Sequence, residues 1–128
     1  MSDQEYAGGF QGLHVWKEAR LFREAISDIC KTFPKEEQFR LVDQLKRASR
    51  SITANIAEGY GRYHYQENIQ FCRQARGSLM ECLDHLICAA DESYISKEQL
   101  TTLEKDYQKI LKLLNGYISF LRDKKSNT

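Results

Sequence analysis

The chain has 128 residues, of which 41% are hydrophobic and 29% are charged. That length fits one domain, and the composition excludes an intrinsically disordered chain. The formal net charge of +1 at pH 7 predicts no polyanion partner for the chain as a whole. No proline follows Pro34, which argues against a β-sandwich, because that fold needs a turn about every 8 to 12 residues.

The start of the chain is polar and glycine-rich, which predicts a flexible N-terminal tail over residues 1–12. It contains no apolar run behind a basic segment, so no signal peptide is expected. No stretch of the sequence approaches the roughly 18 apolar residues of a membrane span. We therefore expect a cytoplasmic protein with no membrane partner, in which the four cysteines are reduced thiols.

Two helices are predicted in the first half of the chain. Apolar residues over about residues 13–32 recur at alternating intervals of three and four, which is the period of a helix. This helix is expected to end at Phe33, because the residue before a proline is pushed out of the α region. Pro34 is expected to lie in the first turn of the second helix, which runs to about Glu58 and stops at a pair of glycines.

Two further helices are predicted in the second half. The third covers about residues 65–91, with apolar residues on about half of its circumference. The fourth begins at Ser96, where the sequence SKEQ is a capping box, and continues to Leu121. Short connections make consecutive helices antiparallel. The sequence thus predicts an all-α fold, an up-down-up-down antiparallel four-helix bundle over residues 13–121, followed by a frayed tail over residues 122–128.

Patterns that support catalysis or metal binding are scarce. Di-iron bundles need inward glutamates and two Glu-x-x-His pairs, and only Glu81 with His85, at i,i+4, comes close. The cysteines lack C-x-x-C spacing, and no histidine stands near a serine or cysteine as a nucleophile's base. The glycines at 59 and 61 are similar to a phosphate-binding loop, but a helix stop is the favoured interpretation. We expect no enzyme activity, no metal and no cofactor.

A basic middle segment is the clearest functional indication. Residues 39–76 carry seven basic and three acidic side chains, whereas residues 77–110 carry three and seven. Arginine and lysine bind phosphates and tyrosines stack on bases, so RNA or DNA binding is one interpretation of the segment, although a solvated, salt-bridged surface is the preferred one for a chain near neutrality. The candidate nucleic-acid-binding residues are Lys46, Arg47, Arg50, Arg62, Arg73 and Arg76.

The second helix also carries small and apolar side chains beside its charges. Small side chains let helices approach closely, and exposed apolar groups mark contact surfaces. We interpret this face as the interface of a homo-oligomer, with a tight contact inside the bundle as an equally weighted alternative. The candidate interface residues are Trp16 from the first helix and Phe39, Val42, Ala54 and Ala57 from the second.

Several segments together resemble one known family. They are LHVWKEA at 13–19, FPKEE at 33–37, LKRA at 45–48, SITANIAEG at 51–59 and LNG at 114–116. The ordered combination resembles the four-helix-bundle family of bacterial 23S rRNA intervening-sequence proteins, also labelled ribosomal-protein-like. The resemblance covers about residues 13–121, and the segment at 51–59 is its most specific part.

The resemblance implies a four-helix bundle that forms a pentameric ring and has no known catalytic residues. It also implies a relation to the accessory proteins of diversity-generating retroelements, in which a basic pentamer binds nucleic acid and a reverse transcriptase. This chain departs from the pattern at His64, where a Ser or Thr helix cap is usual, and in its net charge of +1. We expect a non-enzymatic assembly or adaptor protein, and the alternative is a nucleic-acid-binding accessory protein.

Overall fold

Four α-helices account for most of the chain. The structure is a computed structural model, and it describes residues 8–127. After a 3₁₀ turn at Gly9–Gly12, helix α1 spans His14–Cys30, α2 spans Leu41–Tyr60, α3 spans Tyr65–Asp91 and α4 spans Lys97–Ser126. No strand occurs in this described part of the chain. The predicted all-α class and four-helix bundle are confirmed.

The helices pack in chain order around one core. Each helix contacts two neighbours, in the order α1, α2, α3, α4 and back to α1. Their apolar residues recur at the three-and-four interval predicted from the sequence, and each buried large side chain stabilises the fold by about 1.5–3 kcal/mol. The largest fully buried side chains are Phe22, Ile26, Leu45, Ile52, Ile56, Ile69, Leu79, Leu86, Ile110, Leu114, Ile118 and Leu121.

The second helix begins later than the sequence predicts. Pro34 precedes a short 3₁₀ turn at Lys35–Glu37, and α2 starts only at Leu41. One Oε atom of Glu37 accepts a hydrogen bond from the Leu41 amide at 3.4 Å, and the other accepts one from the Tyr94 hydroxyl at 2.7 Å. Glu37 therefore caps α2 and ties the connection between α1 and α2 to the loop before α4.

The fourth helix begins as predicted and ends later. The Ser96 hydroxyl accepts from the Gln99 amide, and the Gln99 side chain accepts from the Ser96 amide, so the capping box is confirmed. The helix continues to Ser126, past the end predicted at Leu121. The Lys125 ammonium group bonds to Gln66 of α3, which holds this last turn against the bundle.

The two ends of the chain lie partly outside the described residues. The predicted N-terminal tail over 1–12 is described only from Gly8, and Phe10 in the 3₁₀ turn contacts the Trp16 ring edge-on at 5.2 Å. Thr128 lies outside the described range.

Helix α1 is also tied to α4, because the Lys109 ammonium group donates to the Glu18 carboxylate at 2.9 Å. That hydrogen bond lowers the pKa of Glu18.

Helices α2 and α3 contact each other through small residues of α2. The Ser78 hydroxyl of α3 donates to the Ser51 hydroxyl of α2 at 2.9 Å. Near the end of α2, a Cβ on Gly59 would stand 2.7 Å from Asn68 Oδ1 and 2.9 Å from the Cβ of Phe71. Glycine at 59 is thus required by the close approach of α3, in addition to its position near a helix end.

A matched pair of glycine substitutions tests this close contact. Gly59→Ala is expected to lower the free energy of unfolding by at least about 1 kcal/mol, because overpacking outweighs the better helix propensity of alanine. Gly77→Ala, in the exposed middle of α3 where nothing lies within 4 Å, is expected to raise it by about 0.5–1 kcal/mol. Urea unfolding followed by circular dichroism measures both. Stabilisation by Gly59→Ala would contradict the contact.

The Tyr94–Glu37 hydrogen bond predicts an alkaline loss of stability. The bond to the carboxylate, followed by burial, raises the pKa of Tyr94 to about 12, against about 10 in the unfolded chain. Its contribution is therefore complete below about pH 10 and is lost as the pH rises towards 12. Tyr94→Phe should destabilise the protein at pH 8 and do so less at pH 11.

Urea unfolding at the two pH values measures this dependence. Tyr63→Phe is the matched control, because Tyr63 is 95% exposed and its hydroxyl is expected to contribute equally little at both pH values. If Tyr94→Phe lowers the free energy of unfolding equally at pH 8 and pH 11, the Glu37 bond does not hold the Tyr94 proton.

Candidate functional site and interaction surfaces

The basic residues of α2 and α3 point to different sides of the bundle. Arg47 is exposed on α2 and pairs with Asp43 at 3.4 Å. Arg76 of α3 turns towards α4, where its guanidinium donates to Asn115 Oδ1 at 2.7 Å. Lys46 is half-buried on the α1 side, near the thiol of Cys30. Arg76 and Lys46 are therefore directed towards different neighbouring helices, and Arg47 is paired with a carboxylate.

The other three predicted nucleic-acid-binding residues lie on α2, on α3 and in the connection between these helices. Arg50 on α2 and Arg73 on α3 are exposed. Arg62 lies between these helices, where its guanidinium contacts Glu58 at 2.9 Å and Glu67 at 3.6 Å. The same group lies over the Phe71 ring at 4.8 Å. Two carboxylates thus balance the charge of Arg62.

The loop between α2 and α3 presents a group of tyrosines, and we call residues 60–65 the tyrosine loop. Tyr63 is 95% exposed, and its ring stands edge-on to the His64 ring at 5.4 Å. Beneath the loop lies a cavity of about 250 Å³. At its wall the Asn68 side-chain amide donates to the Tyr117 hydroxyl at 3.1 Å. The cavity is lined by Tyr60, Arg62, Tyr63, His64, Tyr65, Asn68, Tyr117 and Leu121.

A second hollow adjoins the tyrosine loop and adds a cation that sequence reasoning missed. Its volume is about 470 Å³, and it is lined by Tyr63, His64, Tyr65, Gln66 and Lys125. Lys125 reaches this place because α4 continues past Leu121. The absence of any proline or glycine after Leu121 was the only available signal in the sequence. The hollow combines aromatic faces with a lysine at its rim.

Phe39 is the most exposed of the predicted interface residues. Its side chain is 90% exposed, just before the start of α2. Ala54 is exposed on α2 and Ala57 is half-buried. Exposure of a whole phenylalanine side chain leaves its apolar area in water, which makes Phe39 a candidate contact residue.

The prediction that Val42 lies on an outward interface is wrong. Val42 is only 3% exposed, because it shares a helix row with Ser49 and Thr53, and both of these are also buried. The hydroxyl of Thr53 accepts a hydrogen bond from the Arg23 guanidinium of α1 at 2.9 Å. This row therefore faces α1, and its small side chains serve a contact inside the bundle.

Trp16 is engaged within its own chain. Its ring is half-buried, with Phe10 at 5.2 Å on one side and the Arg20 guanidinium 5.7 Å from the ring centre. These contacts fix the start of α1 against the preceding turn. The tryptophan therefore has an intramolecular role besides the predicted interface role.

The cysteines do not present an activated thiol. Burial raises the pKa of Cys30 to about 11 and the pKa values of Cys72 and Cys82 to about 12. Cys88 is exposed, but desolvation and the nearby carboxylates, Glu92 first among them, also raise its pKa. Thiolates are the reactive form of cysteine, so none of these environments favours nucleophilic chemistry.

Metal-ligating side chains are dispersed. Glu81 and His85 contact each other at 3.1 Å on α3. Over residues 8–127, no three or more His, Cys, Asp and Glu side chains converge in a way that could hold a metal ion. None of the helices in this range has the length and apolarity needed to cross a membrane.

Comparison with known proteins finds a family and a crystal structure that are similar to this chain. The sequence profile of the family described as 23S rRNA-intervening sequence protein matches residues 11–116. A similar fold is the 1.70 Å crystal structure of a protein with unknown function from the S23 ribosomal protein family of Bacteroides thetaiotaomicron. The two share 26% sequence identity and a TM-score of 0.75, over 81% of this chain and 97% of that chain. No curated protein matches the sequence.

Proposed function

Since the chain belongs to the 23S rRNA-intervening sequence protein family, we propose that it is a non-catalytic assembly or adaptor protein that forms a homo-oligomeric ring. The resemblance drawn from the sequence implies five subunits, and the proposal adopts that number. The buried thiols have raised pKa values, so the proposal assigns them no nucleophilic role. The ring, and not an active centre, would then present the functional surface in the cytoplasm.

The exposure of Phe39 is the observation that carries this proposal. A fully buried phenylalanine stabilises a protein by about 1.5–3 kcal/mol relative to an exposed one, yet this ring is 90% exposed in the single chain. Ala54, on the helix that follows Phe39, is also exposed. Contact with a second copy would remove this apolar area from water without disturbing the core.

Phe39→Ser tests the proposal. The substitution leaves the core of the subunit intact, so circular dichroism should be unchanged, while the mass from light scattering should fall towards that of a single 15.0 kDa chain. Tyr63→Ser is the matched control, because it removes an equally exposed ring at the opposite end of α2 and should leave the mass unchanged. A wild-type protein that stays monomeric when light scattering is repeated at about 10 times the initial protein concentration would refute the proposal.

A second candidate function, nucleic-acid binding, is favoured by the tyrosine loop. Stacking of a base on an aromatic side chain contributes about 1–3 kcal/mol, and a cationic rim attracts the phosphates. Tyr63, His64 and Tyr65 offer such rings, and Lys125 offers the cation. We propose this loop, which contains Arg62, as the centre of a contact with single-stranded RNA or DNA, rather than the other five basic residues predicted from the sequence, which lie on α2 and α3. A reverse transcriptase is the protein partner that the retroelement resemblance suggests.

Anisotropy of a labelled single-stranded RNA tests this second candidate. At about 50 mM salt, Tyr63→Ser should weaken binding by about tenfold or more, because it removes one stacking ring. Lys125→Gln should weaken binding and reduce its salt dependence, whereas Lys35→Gln, at the opposite end of the bundle, should do neither. No binding by the wild-type protein at this low salt concentration would eliminate the candidate.

A further inference from the structure

We infer that a groove between α1 and α4 receives Phe39 and Arg40 of a second copy of the chain. This inference rests on the proposed self-association and goes beyond it by naming both contacting surfaces. Two independent features carry it: an apolar groove with an acidic rim on one side of the bundle, and an exposed aromatic ring beside an arginine on another.

The groove lies between the final turns of α1 and the first turns of α4. Ala25 and Ile29 are half-buried on α1, and Leu103 lies opposite them on α4. Leu21, one turn before Ala25 on the same helix row, is 58% exposed. The groove has a volume of about 290 Å³, and an apolar cavity of about 150 Å³ already holds benzene. It is large enough for a phenyl ring.

The rim of the groove is acidic. Glu98 of α4 lines it directly, and the exposed Glu24 and Asp28 immediately precede the lining residues Ala25 and Ile29 in α1. Asp28 is paired with Lys31 at 3.2 Å, which leaves two carboxylates on the rim for a cationic partner. An apolar floor with carboxylates at its edge fits an apolar side chain that is followed by a positive charge.

Phe39 and Arg40 offer that combination on the same chain. Both side chains are exposed, and they occupy consecutive positions immediately before α2. Because consecutive helices are antiparallel, the end of α1, the start of α2 and the start of α4 all lie at one end of the bundle. The Phe39 ring and the groove therefore lie at the same end of the bundle. The ring precedes α2, whereas the groove lies between α1 and α4.

A contact between two different surfaces has a consequence for symmetry. Each copy offers its Phe39 to one neighbour and its groove to another, so the interface is heterologous and closes into a ring when the rotation between copies permits. A self-complementary face would instead give a two-fold dimer. A contact between Phe39 of one copy and the groove of the next would thus form a closed ring from copies of a chain that has no internal repeat.

A charge exchange tests the pairing between Arg40 and Glu98. Arg40→Glu and Glu98→Arg should each lower the mass measured by light scattering, because each places like charges together at the rim. The double variant Arg40→Glu/Glu98→Arg should restore the wild-type mass. Arg73→Glu, an exposed arginine on α3, is the matched control and should leave the mass unchanged.

The outcomes separate this inference from the proposed function. A monomeric wild-type protein contradicts both. A wild-type oligomer whose mass is unchanged by either single variant, or is not restored in the double variant, overturns the groove contact alone and leaves self-association standing. A lower mass in both single variants, with the wild-type mass restored in the double variant, supports the pairing.

A disulfide cross-link supplies a measurement that does not depend on charge. In a Cys88→Ser background, Arg40→Cys/Glu98→Cys should form a ladder of covalent oligomers on a non-reducing gel, because the two thiols belong to neighbouring copies. The remaining cysteines are buried, and each single-cysteine variant should stay without a ladder. Absence of a ladder while light scattering shows an intact oligomer would also overturn the contact.

Discussion

Burial of four apolar helix stripes determines how this chain folds. Residues such as Phe22, Leu45, Leu79 and Leu114 are almost completely inaccessible to water, one from each helix. Their three-and-four spacing determines which side of every helix faces inward, and so it also determines which side chains remain outside. Phe39 stands out because it is a large apolar side chain that this arrangement leaves 90% exposed.

Local patterns made much of this fold predictable. The bounds of α3 and the capping box at Ser96 follow from periodicity and from an interaction spanning three residues. The start of α2 could not be predicted in the same way, because Glu37 is held by Tyr94, which lies 57 positions away in the sequence. A contact of that kind forms only after the helices have packed.

The candidate surfaces were less predictable than the fold. Val42 was misassigned because α2 buries two rows of side chains, one against α1 and one against α3, and small residues occur on both. The basic residues cluster in sequence, but the geometry of the helices separates Arg47 from Arg76 in space. Lys125 could not be associated with the tyrosine loop, since the two are brought together only by the antiparallel return of α4.

The proposed assembly rests on two complementary surfaces that lie on different sides of one bundle. An acidic, apolar groove between α1 and α4 and an aromatic ring beside Arg40 are complementary, and their separation favours a ring over a dimer. Net charge near zero is compatible with this arrangement, because attraction between copies requires local charges and not an overall excess. The proposed contact would give this chain a physical reason to assemble.

Native mass spectrometry of the wild-type chain counts subunits without a variant or a ligand. A pentameric ring gives one dominant species at five times the 15.0 kDa chain mass, with smaller species appearing only on dilution. A spectrum that contains only the single chain at every concentration, or only a two-fold dimer, would contradict it.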